Sequence, residues 1–514
     1  MARAATRPKP TRKLPKFDFE KGCSSRGIPF LLGFGQGNSW NFCGNSSEFS
    51  ADWWAARRGQ RRERRALKYS ITDYAAKPLF IMKFTLLLSY TLFWATPLLL
   101  RAPGARAQTA LPESVFTGAP LETIEAGRET FALFDKAFYA NQLFLLGESH
   151  GVQRPQDVDF ALLKHLNARA GVRTYVAEVD CAKAYYLNEY LRTGQDSTLR
   201  LVFRGWVADR SQWANQEFYQ KIQRIRALNQ TLPAARRIRF VGLDQLQDLP
   251  LAADYITALL RTAPLAPGLR SRVDSVVAVL RQPGGPGLPG VTQRAALALA
   301  SGHLGSEYDD LRLALANAAY DLRAGRREDN IFANFQALVH TKRLAHEKMY
   351  GMWGLGHVLQ SPLQNGFSDL AARIGQSTLP VHDKVVSVLC VFSECQMLYP
   401  TDGLPGPWQA AGQPYTVTDK FNHDGPLVTI TGLADLKQRT APGSTTLVRL
   451  DAPGAAATRQ PIQLRYAPGM PPEQQMQFRP ELPATAYVQY LVLIRGSGPV
   501  TPLGAPAAAV SSRR

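Results

Sequence analysis

The sequence predicts an α/β protein with a largely parallel central sheet, flanking helices and a helical insertion. Three observations carry that prediction. Short apolar runs recur at 143–146, 175–177, 238–243 and 349–355. Segments with apolar residues at helical spacing lie between them, and each run stops at an acid or a histidine. Short unbroken apolar runs suit strands buried on both faces, as in parallel sheets covered by helices.

The first run ends in Gly147, Glu148, Ser149 and His150. Val158, Ala161, Leu162, His165 and Leu166 then predict a helix over 158–168. The second run ends at Glu178, and a helix over 183–193 is stopped by Gly194. Phe218, Ile222, Ile225 and Leu228 predict another over 218–229, before the third run ends at Asp244. This β-α order favours right-handed parallel crossovers over a sandwich. Beyond residue 250, Pro/Gly-rich stretches at 264–268 and 283–290 punctuate helical segments at 273–281 and 294–322. These predict a helical insertion, about 250–345, packed over the sheet as a lid, with a helix over 331–346 returning to it. The fourth run is followed by Gly356 and His357. β-rich segments at 385–391, 427–430 and 488–494 close the chain, and 504–514 reads as a disordered tail.

Charge separates the front of the chain from the rest. The whole carries a formal charge of +19, yet residues 1–81 hold 16 Lys/Arg against 6 Asp/Glu and show no sustained periodicity. They read as non-globular. A basic arm for nucleic acid is one reading of such a block. Met82 and Lys83, the apolar stretch 84–100 and Ala105-Arg106-Ala107 give a better one: a signal peptide over 82–107, with Met1 a misassigned start. A membrane anchor competes, but 84–100 is marginal for a span and contains Pro97. Residues 108–514 carry 41 Lys/Arg and 35 Asp/Glu, without a basic tract interleaved with aromatics. The mature chain is therefore expected to be exported, periplasmic or extracellular, with neither nucleic acid nor a membrane as partner. Its cysteines, Cys181, Cys390 and Cys395, lack zinc-site spacing and read as buried thiols. Cys390 and Cys395 are the pair close enough in sequence for an exported protein to bridge.

In open parallel sheets ligands bind beyond the carboxyl ends of the strands, so the punctuating residues would converge on one crevice. Glu148 and His150, two apart, share a face of an extended segment. Glu178 would orient His150 or share its proton, and a water held by His150 would be a hydrolytic nucleophile. Arg327 would present a guanidinium to a substrate carbonyl or its developing oxyanion; a surface charge at a helix entry is the rival reading. Asp244 would bind substrate hydroxyls or cap the next helix. His165, His303, His340, His346, His382 and His423 have no comparable placement. The chain has no G-x-S-x-G elbow, phosphate loop or H-E-x-x-H helix. Metal binding by Glu148, His150, Glu178 and His357 is chemically open but not demanded by their spacing.

The ordered set of motifs resembles the erythromycin esterase-like family, of the same wider group as the ChaN-like haem-binding lipoproteins. The likeness rests on Leu145-Leu146-Gly147-Glu148-Ser149-His150-Gly151, Tyr175-Val176-Ala177-Glu178-Val179-Asp180, Ile238 through Asp244, Arg327-Glu328 with Asn334, and Gly356-His357-Val358. It spans roughly 120–503. The resemblance implies an esterase-like α/β domain over 108–503, acting on a small-molecule ester or lactone. It implies His150 as the base that activates water without a covalent intermediate, and Glu148 and Glu178 as its catalytic partners. Arg327 and His357 would contact the substrate or stabilise the oxyanion. No cofactor is expected, and a haem or divalent-metal binder using the same crevice is the competing reading. Two departures stand out: one residue instead of two separates Glu148 from His150, and Gly354 stands where the esterases carry a second histidine.

Overall fold

The computed structural model describes residues 113–504 apart from 128–129, 303, 321–325 and 342–343. The expected non-globular front, signal peptide and most of the expected tail lie outside the described residues, as does His303. Twelve strands are present among the described residues. They are β1 (Leu121–Thr123), β2 (Leu143–Glu148), β3 (Thr174–Asp180), β4 (Arg239–Asp244), β5 (Met349–Gly354) and β6 (Val385–Ser393). The chain continues with β7 (Met397–Pro400), β8 (Tyr415–Thr418), β9 (Val428–Ile430), β10 (Thr445–Arg449), β11 (Leu464–Tyr466) and β12 (Tyr490–Arg495). Eight form the central sheet in the order β1-β10-β12-β6-β2-β5-β3-β4. From β12 to β4 every pairing is parallel, and β10 alone runs against its two neighbours.

The sheet is buried on both faces, and side-chain parity sorts its residues between two cores. Phe144, Leu146, Tyr175, Ala177, Tyr350 and Met352 point to one. Leu143, Leu145, Val176, Met349 and Trp353 point to the other. Period-two geometry with apolar residues at both parities is what makes these strands read as continuous apolar runs. In the parallel strands acidic residues enter only toward the carboxyl ends.

The helices follow local signals. Asp180 ends β3 and its Oδ1 accepts from Lys183 N at 2.8 Å, capping the helix Cys181–Thr193. Asn215 caps Gln216–Thr231 in the same way. The helix Asp196–Ala208 was not anticipated; Leu199, Val202, Phe203 and Trp206 form its buried face. The expected segment 294–322 is two helices, Leu288–Ser301 and Asp309–Ala319, parted around Gly302 and Gly305. With Leu249–Thr262 and Pro267–Leu280 they close a third apolar core that includes Cys181 and Ala182. The returning helix is Arg327–His340, earlier than expected, so that Arg327 is its first residue. The β-rich segment at 427–430 lies outside the central sheet, where β9 pairs with β11. Sequence reading missed two strands of the central sheet: the three-residue edge strand β1, and β10, which runs against both its neighbours and reads TTLVR, without a long apolar run. Cys181, Cys390 and Cys395 are buried free thiols. No helix among the described residues is long and apolar enough to cross a membrane.

Beneath the sheet an ion pair is fully buried. Asp159 accepts from Lys221 Nζ at 2.5 Å, Tyr350 OH at 2.7 Å and Tyr175 OH at 2.9 Å. Asp159 and Lys221 are 0% and 1% exposed, so each charge depends on the other. Lys221→Met is expected to strand the carboxylate and cost about 3–5 kcal/mol in urea denaturation, whereas Arg270→Ala, breaking an exposed pair with Asp274, should cost under about 1 kcal/mol.

Candidate active site

The crevice beyond the carboxyl ends of β2, β3, β4 and β5 gathers the site residues. Glu148 is the last residue of β2, and the chain turns immediately past it to place His150 back over its own strand end. The turn needs Gly151, whose φ is +95° and whose Cβ would lie 2.4 Å from Leu398 O. His150 Nδ1 is hydrogen-bonded to Glu148 Oε1. Trp213 lies against the imidazole with ring centroids 4.4 Å apart. Nδ1 donating to a carboxylate fixes the tautomer, so neutral His150 carries its lone pair on Nε2.

A second arm is built around Arg327. Its Nε lies 3.0 Å from Asp244 Oδ1, and its Nη2 donates to Asp244 Oδ2 and to Glu178 Oε1, each at 2.7 Å. Nη1 lies 3.2 Å from His357 Nε2 and 3.8 Å from Glu328 Oε1. The side chain keeps 27% exposure, so the guanidinium is anchored on one side and faces the crevice on the other. The rival reading of Arg327 as a helix-entry surface charge does not describe this placement. Glu178 Oε2 accepts from Gly354 N at 2.7 Å, which completes its fixation.

The two arms meet at Gly354. A Cβ built there would lie 3.5 Å from His150 Nε2, 3.5 Å from His357 Cδ2 and 3.7 Å from Glu178 Oε2. The structure thus brings Glu148, His150, Glu178, Asp244, Arg327 and His357 together. Asp244 spends its oxygens on Arg327, on Gln245 N at 2.8 Å and on Gln247 Nε2 at 2.7 Å. It caps no helix: Asp248 does, accepting from Leu251 N at 2.9 Å, because the chain runs four residues past β4 before turning helical. His165 is bonded to the Tyr139 hydroxyl and His423 accepts from Phe392 N, so both serve the fold.

Electrostatics follow from burial and pairing. Burial opposes charge on His150, but Glu148 and then Glu178 outweigh it and raise the imidazole above its ordinary range. His357 is likewise buried, yet Glu328 and Glu178 on its two sides hold it well above that range. Burial also opposes ionisation of Glu178, but His357 and Arg327 keep its carboxyl well below the usual carboxylate range. Burial works against Arg327 as well, while Asp244 and Glu178 hold it firmly cationic.

Sequence reading did not assign a role to Glu328, Asp369 or Trp213. Glu328 was part of the Arg327-Glu328 motif, and that pairing was the available signal. Asp369 precedes the short helix Leu370–Gly375 and Trp213 lies in a loop, and neither carries a signal in the sequence. Donor atoms of Glu328, His357 and Asp369 lie within 4.8 Å of one another, the one such cluster found among the described residues. Arg327 already supplies a positive charge beside it, which favours a proton over a cation there, and His357 Nδ1 lies 3.1 Å from Glu328 Oε2, at ion-pair distance.

Comparison with known proteins agrees with this picture. The erythromycin esterase family model matches residues 168–352, and the resemblance read from the motifs holds. A succinoglycan biosynthesis protein is 16% identical with a TM-score of 0.54, covering 76% of this chain and 97% of that one. A mutant of the erythromycin esterase EreC in its open conformation is 12% identical with a TM-score of 0.52, covering 75% and 100%. A Bacillus cereus protein is 15% identical with a TM-score of 0.51, covering 71% and 90%. At these identities the likeness establishes the fold. No curated protein matches the chain in sequence.

Glu148→Gln removes the anion that favours protonated His150. It should lower the His150 pKa by roughly 1–3 pH units, read from the imidazole carbon resonances across a pH titration.

Proposed function

We propose that this chain, similar in motifs and fold to erythromycin esterases, is an exported hydrolase of a small-molecule ester or lactone. The observation that carries the reading is the convergence at Gly354. There His150 Nε2, Glu178 and His357 border one small space, and Glu148 holds His150 in the tautomer a base needs. A water beside Gly354 would donate its proton to His150 Nε2 as its oxygen attacks the carbonyl carbon. The carbonyl oxygen then becomes an oxyanion beside Arg327 Nη1 and His357, the cationic groups of the second arm. Collapse breaks the bond to the leaving oxygen, which takes the proton from His150. Glu178, fixed by Arg327 and Gly354 N, stabilises the imidazolium between these steps. The water attacks directly, so no residue is acylated.

Purified residues 108–514 should be assayed on a macrolide, simple lactones and chromogenic esters, with metal and haem content checked. His150→Ala and Glu178→Ala should each abolish turnover while circular dichroism stays native. Folded protein without turnover, or turnover indifferent to both changes, would refute the hydrolase; a Soret band in the same sample would assign the crevice to haem.

Because its partners raise His150, kcat/KM should climb with pH through an apparent pKa above the ordinary imidazole value of about 6.5. A flat profile from pH 5 to 9 would exclude His150 as the base.

Gly354→Ala supplies a further check. The Cβ meets its neighbours at ordinary van der Waals distance and φ at Gly354 is −52°, which alanine adopts freely. Stability should be unchanged within about 0.5 kcal/mol, while kcat/KM falls because the methyl group occupies the water's place.

A further inference from the structure

We propose that Asp369 is a positioning residue that shares a proton with Glu328 and thereby sets the orientation of His357. Its catalytic consequence rests on the hydrolase reading; the shared proton does not. Asp369 occupies the N-cap of the helix Leu370–Gly375, where an aspartate ordinarily accepts from a backbone N–H of the first turn. It makes no such bond. Its side chain is instead turned inward, 4% exposed, and Oδ1 is buried without a hydrogen-bond partner. What it faces is Glu328, whose Oε2 lies 3.1 Å from His357 Nδ1. The donor atoms of all three residues fall within 4.8 Å.

A buried carboxyl and a partly buried one this close cannot both ionise cheaply, and one proton held between them removes the conflict. The groups facing Asp369 say where that proton sits. From the helix Arg327–His340 come Glu328 and Arg327, and from the turn after β5 comes His357. On its own helix Arg373 is engaged elsewhere, donating to Asp329 at 2.7 Å. Arg327 and His357 lie nearer to Glu328 and keep it below the usual carboxylate range despite burial. Burial, with Glu328 as the neighbouring anion, pushes Asp369 up to about 7 against the pull of His357. Asp369 is therefore the donor and Glu328 the acceptor. With Asp369 protonated, Glu328 would accept from it while its Oε2, 3.1 Å from His357 Nδ1, draws that nitrogen and leaves His357 Nε2 turned toward Glu178, Arg327 and the crevice. Above about pH 7 Asp369 loses its proton, and Glu328 faces an anion where it had a donor.

Asparagine tests this, because its amide donates to Glu328 and cannot lose the proton in this range. In the wild type, the His357 Cε1 resonance should show an inflection near pH 7 that vanishes in Asp369→Asn and survives in His150→Ala. This readout needs no substrate, so its failure is separable from failure of the hydrolase reading. In the assay, Asp369→Asn should keep kcat/KM within about twofold of wild type at pH 6.5, and Asp369→Ala should lose about tenfold. Wild-type kcat/KM should fall again above about pH 7, and Asp369→Asn should lack that alkaline fall. No inflection at His357 near neutral pH would overturn the proposal. So would an asparagine variant as impaired as alanine, or a stoichiometric metal lost on Asp369→Asn; either would mean that Asp369 acts as an anion. If the alanine variant does not fold, the wild-type and asparagine profiles still decide.

Discussion

The site depends on keeping one guanidinium charged at the end of a sheet buried on both faces. Arg327 is held by Asp244 from β4 and Glu178 from β3, and lies beside His357 from the turn after β5. A cation withdrawn from water needs such partners, and each partner is costly to bury without it. The mutual dependence explains why the acids sit at strand ends. Anywhere deeper in β3 or β4 they would face apolar side chains, and anywhere further out they would lose Arg327. It also explains why the helix Arg327–His340 begins where it does: its first residue has to reach the edge of the sheet. Asn334, one side of the same helix further on, donates to Leu243 O at 2.9 Å and ties the helix to β4.

Against this fixed arm the His150 arm is simple. One carboxylate, Glu148, and one indole, Trp213, orient the ring. The imidazole is 7% exposed, so its hydrogen bond to Glu148 acts in a medium poorer in water than the surface and is correspondingly stronger. The arms differ in what they can do. His150 has a nitrogen turned to the crevice and a proton partner behind it, which suits proton transfer. Arg327 and His357 are pinned between anions, which suits holding charge in place. Glu178 belongs to both: Oε1 is bound to Arg327, while Oε2 borders the space next to His150 Nε2.

Sequence alone was enough to foresee the parallel strands, their carboxyl-end residues and therefore the composition of the crevice. Those features rest on strict local rules: buried strands are apolar throughout, and polar residues collect where the sheet ends. Less was legible where structure depends on distant partners. β10 is an edge-side antiparallel strand whose register is set by β12, and its short polar-flanked run resembles a loop. The break near Gly302 divides a helical pattern whose spacing continues on both sides. Asp244 reads as a cap because acids after strands so often precede helices; only the position of Arg327, 83 residues later, gives its carboxylate a different employment. Asp369 illustrates the same limit in reverse. It stands before a helix yet makes no side-chain cap bond, and it lies instead in a cluster with Glu328 and His357 that no local pattern announces.

Gly354 is one of two points at which the motifs of this chain depart from those of the family it resembles, and its geometry bears on what the site can accept. A histidine there would reach into the space bordered by His150 Nε2, Glu178 Oε2 and the His357 ring. It would add a donor and remove volume. With glycine, the backbone N–H still reaches Glu178, so the carboxylate keeps its orientation without help from a side chain. In the proposed reaction the stabilisation of a developing oxyanion would then fall to Arg327 and His357, both already committed to anions. Such donors are preorganised, which favours the transition state, but their charge is partly neutralised before substrate arrives. If the chain is the hydrolase proposed above, such a site would suit esters with a good leaving group, or strained lactones, better than unactivated large-ring esters. On that reading the added room and the weaker oxyanion cradle would both follow from the same missing side chain.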